Sequence, residues 1–193
     1  GMGPFVKADE SNPILEPNTT DKFTCPVWGK EILWTDLSLY NPTAIVKDGV
    51  INLLYRAQDN TEKKTSRVGL ATSADGLSFT RRDTPVLYPD NTYNEYEWGG
   101  GCEDPRVVAG PDGKYYIYYT GYNGSVARLM VASSDDLITW EKHGLTFADA
   151  YDGKYRDTWS KSGSVITEIV DGKQIAKRMD DGKFWMYWGE SDF

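Results

Sequence analysis

Carboxylates, arginines and amides are the groups in this 193-residue sequence whose placement could support chemistry. Asp104 stands in Glu103-Asp104-Pro105-Arg106, directly after Gly99-Gly100-Gly101-Cys102, and Glu190 closes the aromatic run Trp185-Met186-Tyr187-Trp188-Gly189. Two carboxyl groups can divide general-acid and general-base work between them. Other tools are scarce. One histidine, His143, and two cysteines without CxxC spacing leave almost nothing for a zinc site or a Ser-His-Asp triad. A Cys25–Cys102 disulfide stays open, since spacing alone does not decide it.

The elements that must position these groups come from a repeat. An Asp-Gly turn, an apolar and aromatic run, then Ala-x-Ser-x-Asp before an aromatic residue recurs roughly every 60 to 70 residues. Asp48-Gly49 with Ile51-Asn52-Leu53-Leu54-Tyr55 matches Asp112-Gly113 with Tyr115-Tyr116-Ile117-Tyr118-Tyr119, and a third copy opens at Asp181-Gly182. The first unit reads as short strands at 43–46, 51–56, 67–73 and about 80–82. Units of four short antiparallel strands are the signature of propeller blades. A repeat longer than the roughly 40 to 50 residues of common propellers implies long loops, where sites form. Closing a ring takes at least about four blades, so two blades and part of a third imply the N-terminal part of a larger protein. A complete small sandwich is the alternative.

Aligning the units puts Asn41-Pro42 opposite Asp104-Pro105, with Lys161-Ser162 in the third unit, and Asn41, Asp104 and Lys161 are expected to converge at one mouth of the channel. Proline is expected to hold the preceding residue extended and to mark a strand start; a plain Asp-Pro turn is the bland alternative. The glycines before Cys102 allow close backbone approach, and Arg106 is expected on the face of Asp104. Arg56 ends an apolar strand where the second unit has Thr120, so it is either paired or functional. Arg67 and Arg128 share one slot, which favours a structural role. Glu190 replaces the small residues Ala57 and Gly121. Loop aromatics such as Tyr122 and Trp159 can pack on sugar faces or fill the core. His143 reads as a solvated turn residue.

A net charge of -8 gives no electrostatic footprint for nucleic acid or anionic membrane, and apolar runs fall far short of the roughly 20 residues of a membrane span. Gly1-Met2-Gly3 reads as a tag scar before an initiator Met, and a removed leader would leave the same picture, so a periplasmic or cytoplasmic setting stays open.

Asn41-Pro42, Leu53-Leu54-Tyr55-Arg56-Ala57, Ser66-Arg67-Val68-Gly69-Leu70-Ala71, Gly100-Gly101-Cys102-Glu103-Asp104-Pro105-Arg106 and Leu137-Ile138-Thr139-Trp140 together resemble glycoside hydrolase family 130, from about Gly3 to the C-terminus. The resemblance implies an all-β, five-bladed β-propeller, with this chain as a single domain supplying about the first three blades. It implies action on β-mannosides by inverting hydrolysis or phosphorolysis, with no metal or other cofactor. Asp104 would be the general acid, protonating the glycosidic oxygen through a sugar hydroxyl. Asn41, Arg56 and Arg67 would hold the mannose before the scissile bond, and Arg106, Tyr122, Arg128 and Lys161 complete the substrate-binding candidates. An inverting hydrolase needs a second carboxyl about 6.5–9.5 Å from the first. Phosphorylases of this family tend to carry basic residues and a histidine where this sequence has Met186-Tyr187-Trp188-Gly189-Glu190. Hydrolysis of β-1,2-linked mannosides is therefore the expectation, with Glu190 as base and Glu168 behind it. Lys161 and Arg156 keep phosphorolysis, with inorganic phosphate as co-substrate, as the alternative; a non-catalytic sugar-binding fragment is the second. The expected partner is a mannose-containing oligosaccharide, and an oligomer is open. With about three blades the site is expected to be incomplete unless an assembly closes the ring.

Overall fold

The computed structural model describes residues 3–189. A hairpin of β1 (Lys22–Cys25) and β2 (Lys30–Leu33) precedes the first blade. That blade runs β3 (Ser38–Lys47), β4 (Val50–Gln58), β5 (Ser66–Ser73) and β6 (Thr80–Arg81), each antiparallel to the one before. Asp48 and Gly49, at φ 52° and 78°, make the two-residue turn between β3 and β4, the geometry that matches strand twist in a tight hairpin. The second blade repeats the order in β7 (Gly101–Ala109), β8 (Tyr115–Tyr122), β9 (Ala127–Ser134) and β10 (Glu141–Leu145).

The repeated Ser-x-Asp is a turn lock. Asp75 Oδ1 accepts the backbone N–H groups of Leu77 and Ser78 at 2.8 and 2.9 Å, and Ser73 Oγ accepts that of Gly76. In the second blade Asp136 Oδ1 accepts from Ile138 and Thr139, and Ser134 Oγ from Leu137. These donors hold both carboxyls below the usual range.

Strand alternation splits β4 between two cores. Leu54 faces Val68 and Leu70, and across the blade boundary Cys102, Ile117, Tyr119, Met130 and Ala132. Tyr55 and Ala57 face the other way, onto Cys25, Ile32 and Trp34 of the N-terminal hairpin region. Each large apolar side chain buried in these layers contributes about 1.5–3 kcal/mol. The two cysteines are free and lie in separate cores, so the disulfide left open by the sequence does not form. His143 is exposed and belongs to β10, where the register shifts between Lys142 and Gly144, rather than to a turn.

In the third blade β11 (Lys161–Val165) pairs with β14 (Met186–Gly189). Between them lies a hairpin, β12 (Thr167–Val170) and β13 (Lys173–Ala176), whose Ile175 meets Ala109 of β7. The sequence pattern found the second strand of this blade at Met186 but not the inserted hairpin. Its signal was present, since Asp171 and Gly172, at φ 50° and 76°, repeat the Asp48-Gly49 turn. Among the described residues no helix is long and apolar enough to cross a membrane.

Candidate active site

The first strand of each of the three described blades carries the same irregularity. Tyr40 pairs with Arg56 and Thr43 with Leu54; Glu103 pairs with Thr120 and Arg106 with Tyr118; Lys161 pairs with Gly189 and Ser164 with Tyr187. Each time the first strand spends one residue more than its partner, which is a β-bulge. Asn41, Asp104 and Ser162 sit in these bulges at φ 48°, 49° and 58°. Short polar side chains make this left-handed region tolerable for Asn and Asp.

Two expectations are corrected here. Asn41 and Asp104 are left-handed, not extended, because the bulge rather than the following proline sets their geometry; Pro42 and Pro105 occupy places where no ladder donor is needed. The slot in the third blade is Ser162, while Lys161 corresponds to Tyr40 and Glu103 one residue earlier.

The bulge has a chemical consequence. Consecutive strand residues normally point to opposite faces, yet Glu103 and Asp104 both reach one guanidinium. Arg56 donates from Nη1 to Asp104 Oδ1 at 3.0 Å and from Nη2 to Glu103 Oε1 at 2.8 Å. Its Nε donates to Ser66 Oγ at 2.9 Å, and its guanidinium carbon lies 4.5 Å from the Tyr40 ring centroid. Asn41 Nδ2 also donates to Asp104 Oδ1. Both donors act on Oδ1, and Oδ2 takes none among the described residues. The Arg56, Glu103 and Asp104 side chains keep only 13%, 13% and 17% of their surface, so one edge of the cluster stays open.

Burial pushes the Glu103 carboxyl up to about 7; the charges of Arg56 and Lys161 oppose the rise, and that of Asp104 adds to it. Burial also raises the Tyr40 phenol, against the pull of Arg56. The β4–β5 pairing puts Ser66 two residues from Val68, the partner of Arg56, and Ser66 also meets Gly101 of β7. A Cβ at Gly101 would stand 2.1 Å from the Ser66 carbonyl oxygen, and φ there is 106°. Only glycine fits.

Of the residues singled out from sequence, Asn41, Arg56 and Asp104 are brought together. Lys161 is exposed but near enough for its charge to act on Glu103. Arg67 is not in the site. It is fully buried on the opposite face of β5, where it pairs with Asp59, donates to the Thr65 carbonyl at 3.2 Å and lies 3.6 Å from Cys25 Sγ. The sugar-binding role expected for it is withdrawn, because strand alternation turns it away from Arg56 and into the hairpin core. Arg106 lies beyond the bulge and Arg128 in β9; each donates to the carbonyl just before it, at 2.9 and 3.1 Å, and neither makes an ion pair with Asp104. Tyr122 stacks at a tilt on Trp159, centroids 6.2 Å apart. Arg156 is engaged by Asp149 and the Ala148 carbonyl.

Glu168 is not placed to assist Asp104. It pairs with Ile175, whose other neighbour is Ala109, five residues along β7 from Asp104 and thus roughly 16 Å away at strand spacing. Glu190 lies outside the described residues. Sequence reasoning passed over Glu103, Ser66 and Tyr40 as members of the cluster; the signal for Glu103 was an acid sharing a repeat position with Tyr40, one residue ahead of the bulge. Among the described residues no group of three or more His, Cys, Asp or Glu side chains could hold a metal ion.

The sequence profile of glycoside hydrolase family 130, described as beta-1,4-mannooligosaccharide phosphorylase, matches residues 6–193. The chain belongs to glycoside hydrolase family 130. A family 130 relative, 1,2-beta-oligomannan phosphorylase from Thermoanaerobacter sp. (strain X514), is 32% identical over 96% of this chain and 57% of its own length. A crystal structure of a putative glycosidase from Bacteroides thetaiotaomicron VPI-5482 superposes with a TM-score of 0.89 at 49% identity, covering 92% of this chain and 52% of its own. Another structure, from work stating that this family of mannoside phosphorylases contains glycoside hydrolases that target beta-1,2 mannosidic linkages in Candida mannan, superposes with a TM-score of 0.92 at 45% identity, covering 98% and 54%. The chain thus spans about half the length of the family 130 relatives it matches, over the N-terminal part of their propeller-type fold.

Proposed function

We propose that the chain supplies the general-acid side of an enzyme that hydrolyses β-1,2-linked mannosides with inversion. The observation that carries this reading is the Asp104 carboxyl: Asn41 and Arg56 fix it through Oδ1, leaving Oδ2 to carry a proton toward a sugar oxygen. In this reading the same Asn41 and Arg56 side chains have spare donor capacity for sugar hydroxyls. The base that activates water is assigned to Glu190, as a carboxylate replacing a small repeat residue.

Hydrolysis is supported by relatives at 45% and 49% identity, one described as a putative glycosidase and one in terms of hydrolases acting on β-1,2 mannosidic linkages. Phosphorolysis is the second reading, favoured by the names of the curated relatives at 32% identity and by Lys161, a cation beside the cluster that could hold an oxyanion. Product analysis of β-1,2-mannobiose with and without inorganic phosphate, using a form whose propeller ring is closed, separates the two. Mannose released in both conditions is the expected result. Mannose 1-phosphate formed only with phosphate would replace hydrolysis by phosphorolysis. In that closed form Asp104→Asn is expected to keep the fold and sugar binding and to lose nearly all turnover; retained turnover would remove Asp104 as the acid.

A further inference from the structure

A general acid has to hold a proton at the pH where it works, and Asp104 shares its surroundings with a permanent cation. Two donors, one of them a guanidinium, converge on a single oxygen of Asp104. Arg56 cannot give up its charge, since guanidinium groups stay protonated in proteins. Something must offset it.

Glu103 is placed to do so. It takes Nη2 of the same guanidinium at 2.8 Å while Asp104 takes Nη1 at 3.0 Å, so the cation is divided between two carboxyls. Ser66 Oγ on Nε and the Tyr40 ring fix the guanidinium plane, so that neither carboxyl can take the cation for itself. The bulge makes this sharing possible by turning Asp104 back onto the side of Glu103. The matching pairs in the other two described blades are Tyr40-Asn41 and Lys161-Ser162, so among the described residues the second blade alone puts two acids at this position.

We propose that Glu103 is a positioning residue that acts through Arg56: its charge offsets the guanidinium and lets the Glu103–Asp104 pair retain one proton for Asp104 to deliver. The charged and titratable groups facing Glu103 are Arg56 from β4, Tyr40 from β3, Lys161 from β11 and Asp104 from its own strand. Arg56 and Lys161 draw the proton off Glu103, whereas burial and the Asp104 charge retain it, and the balance leaves the carboxyl near 7. Two carboxyls coupled in this way titrate as a pair rather than as independent sites. Delivery of that proton as catalysis rests on the mannoside reading above; the pairing itself does not.

The test is a carbon-13 NMR titration of the side-chain carboxyls of Asp104 and Glu103 in the full chain, as wild type, Glu103→Gln and Asp104→Asn. In Glu103→Gln the Asp104 midpoint is expected to fall by about one unit or more. In Asp104→Asn the Glu103 midpoint is expected to fall by a matching amount, because coupling between two sites is reciprocal. Should Glu103→Gln not fold, the Asp104→Asn titration carries the test alone. Where the enzyme turns over, the basic limb of the kcat/KM profile of Glu103→Gln moves to lower pH by the same shift, which a merely structural role would not produce. Midpoints indifferent to removal of the neighbouring charge would overturn the proposal. Coupled midpoints, with no mannoside cleaved by a form whose propeller ring is closed, would uphold the pairing and refute the mannoside reading alone.

Discussion

Arg67→Met separates Arg67 from Arg56, both of which the family resemblance makes sugar-binding candidates. The Arg67 and Asp59 side chains each keep 1% of their surface. Removing the guanidinium leaves Asp59 buried with the N–H and O–H of Thr61 and the N–H of Thr65 still donating to its Oδ1, but with no countercharge. Breaking a buried pair from one side costs about 3–5 kcal/mol. At roughly 2–4 °C per kcal/mol for a chain of this size, the melting temperature should fall by about 6–20 °C. Urea denaturation read by tryptophan fluorescence, with calorimetry, measures both quantities. Adding Asp59→Asn to the same chain should recover part of the loss, since the orphaned charge disappears with its partner. Arg56→Met, at the open cluster, should instead cost less stability and weaken mannoside binding. An Arg67→Met protein with unchanged stability but impaired sugar binding would refute the assignment of Arg67 to the core.

Gly101→Ala should destabilise the chain and lower turnover together, because the added methyl meets the Ser66 carbonyl and displaces the strand carrying Asp104; normal stability with normal kinetics would contradict the close approach. Leu54→Ala, at the fully buried boundary between the first two blades, should cost about 2–5 kcal/mol in urea unfolding. Glu103 holds its proton more tightly folded than unfolded, so between its ordinary 4.5 and about 7 the folded state binds more protons and stability falls as pH rises through that window. Glu103→Gln should flatten the stability profile there, and an unchanged slope would show that the group is not raised.

Much of the architecture is legible because local chemistry writes it. Asp48-Gly49 dictates a tight turn, Ser73 and Asp75 lock the end of the third strand, and Leu54 against Tyr55 encodes two faces of one sheet. Asn41 and Asp104 were legible because they share one slot of the repeat, and Arg56 because it departs from it. The slot that Arg67 shares with Arg128 pointed to its structural role, while the family resemblance pointed to sugar; the face of β5 decides for the first. The bulge was illegible because it is a mismatch between two strands, and neither strand alone records it. It also hid the part played by Glu103, since alternation alone sends Glu103 and Asp104 to opposite faces.

The bulge recurs at Ser162, where no acid stands, and a left-handed non-glycine residue costs on the order of 1–2 kcal/mol wherever it occurs. The distortion is therefore not strain reserved for one reactive group. It works as a socket in the blade itself, three times over, whose backbone shape is the same whether asparagine, aspartate or serine is plugged in. Changing the chemistry at such a site requires exchanging a plug, not rebuilding a sheet.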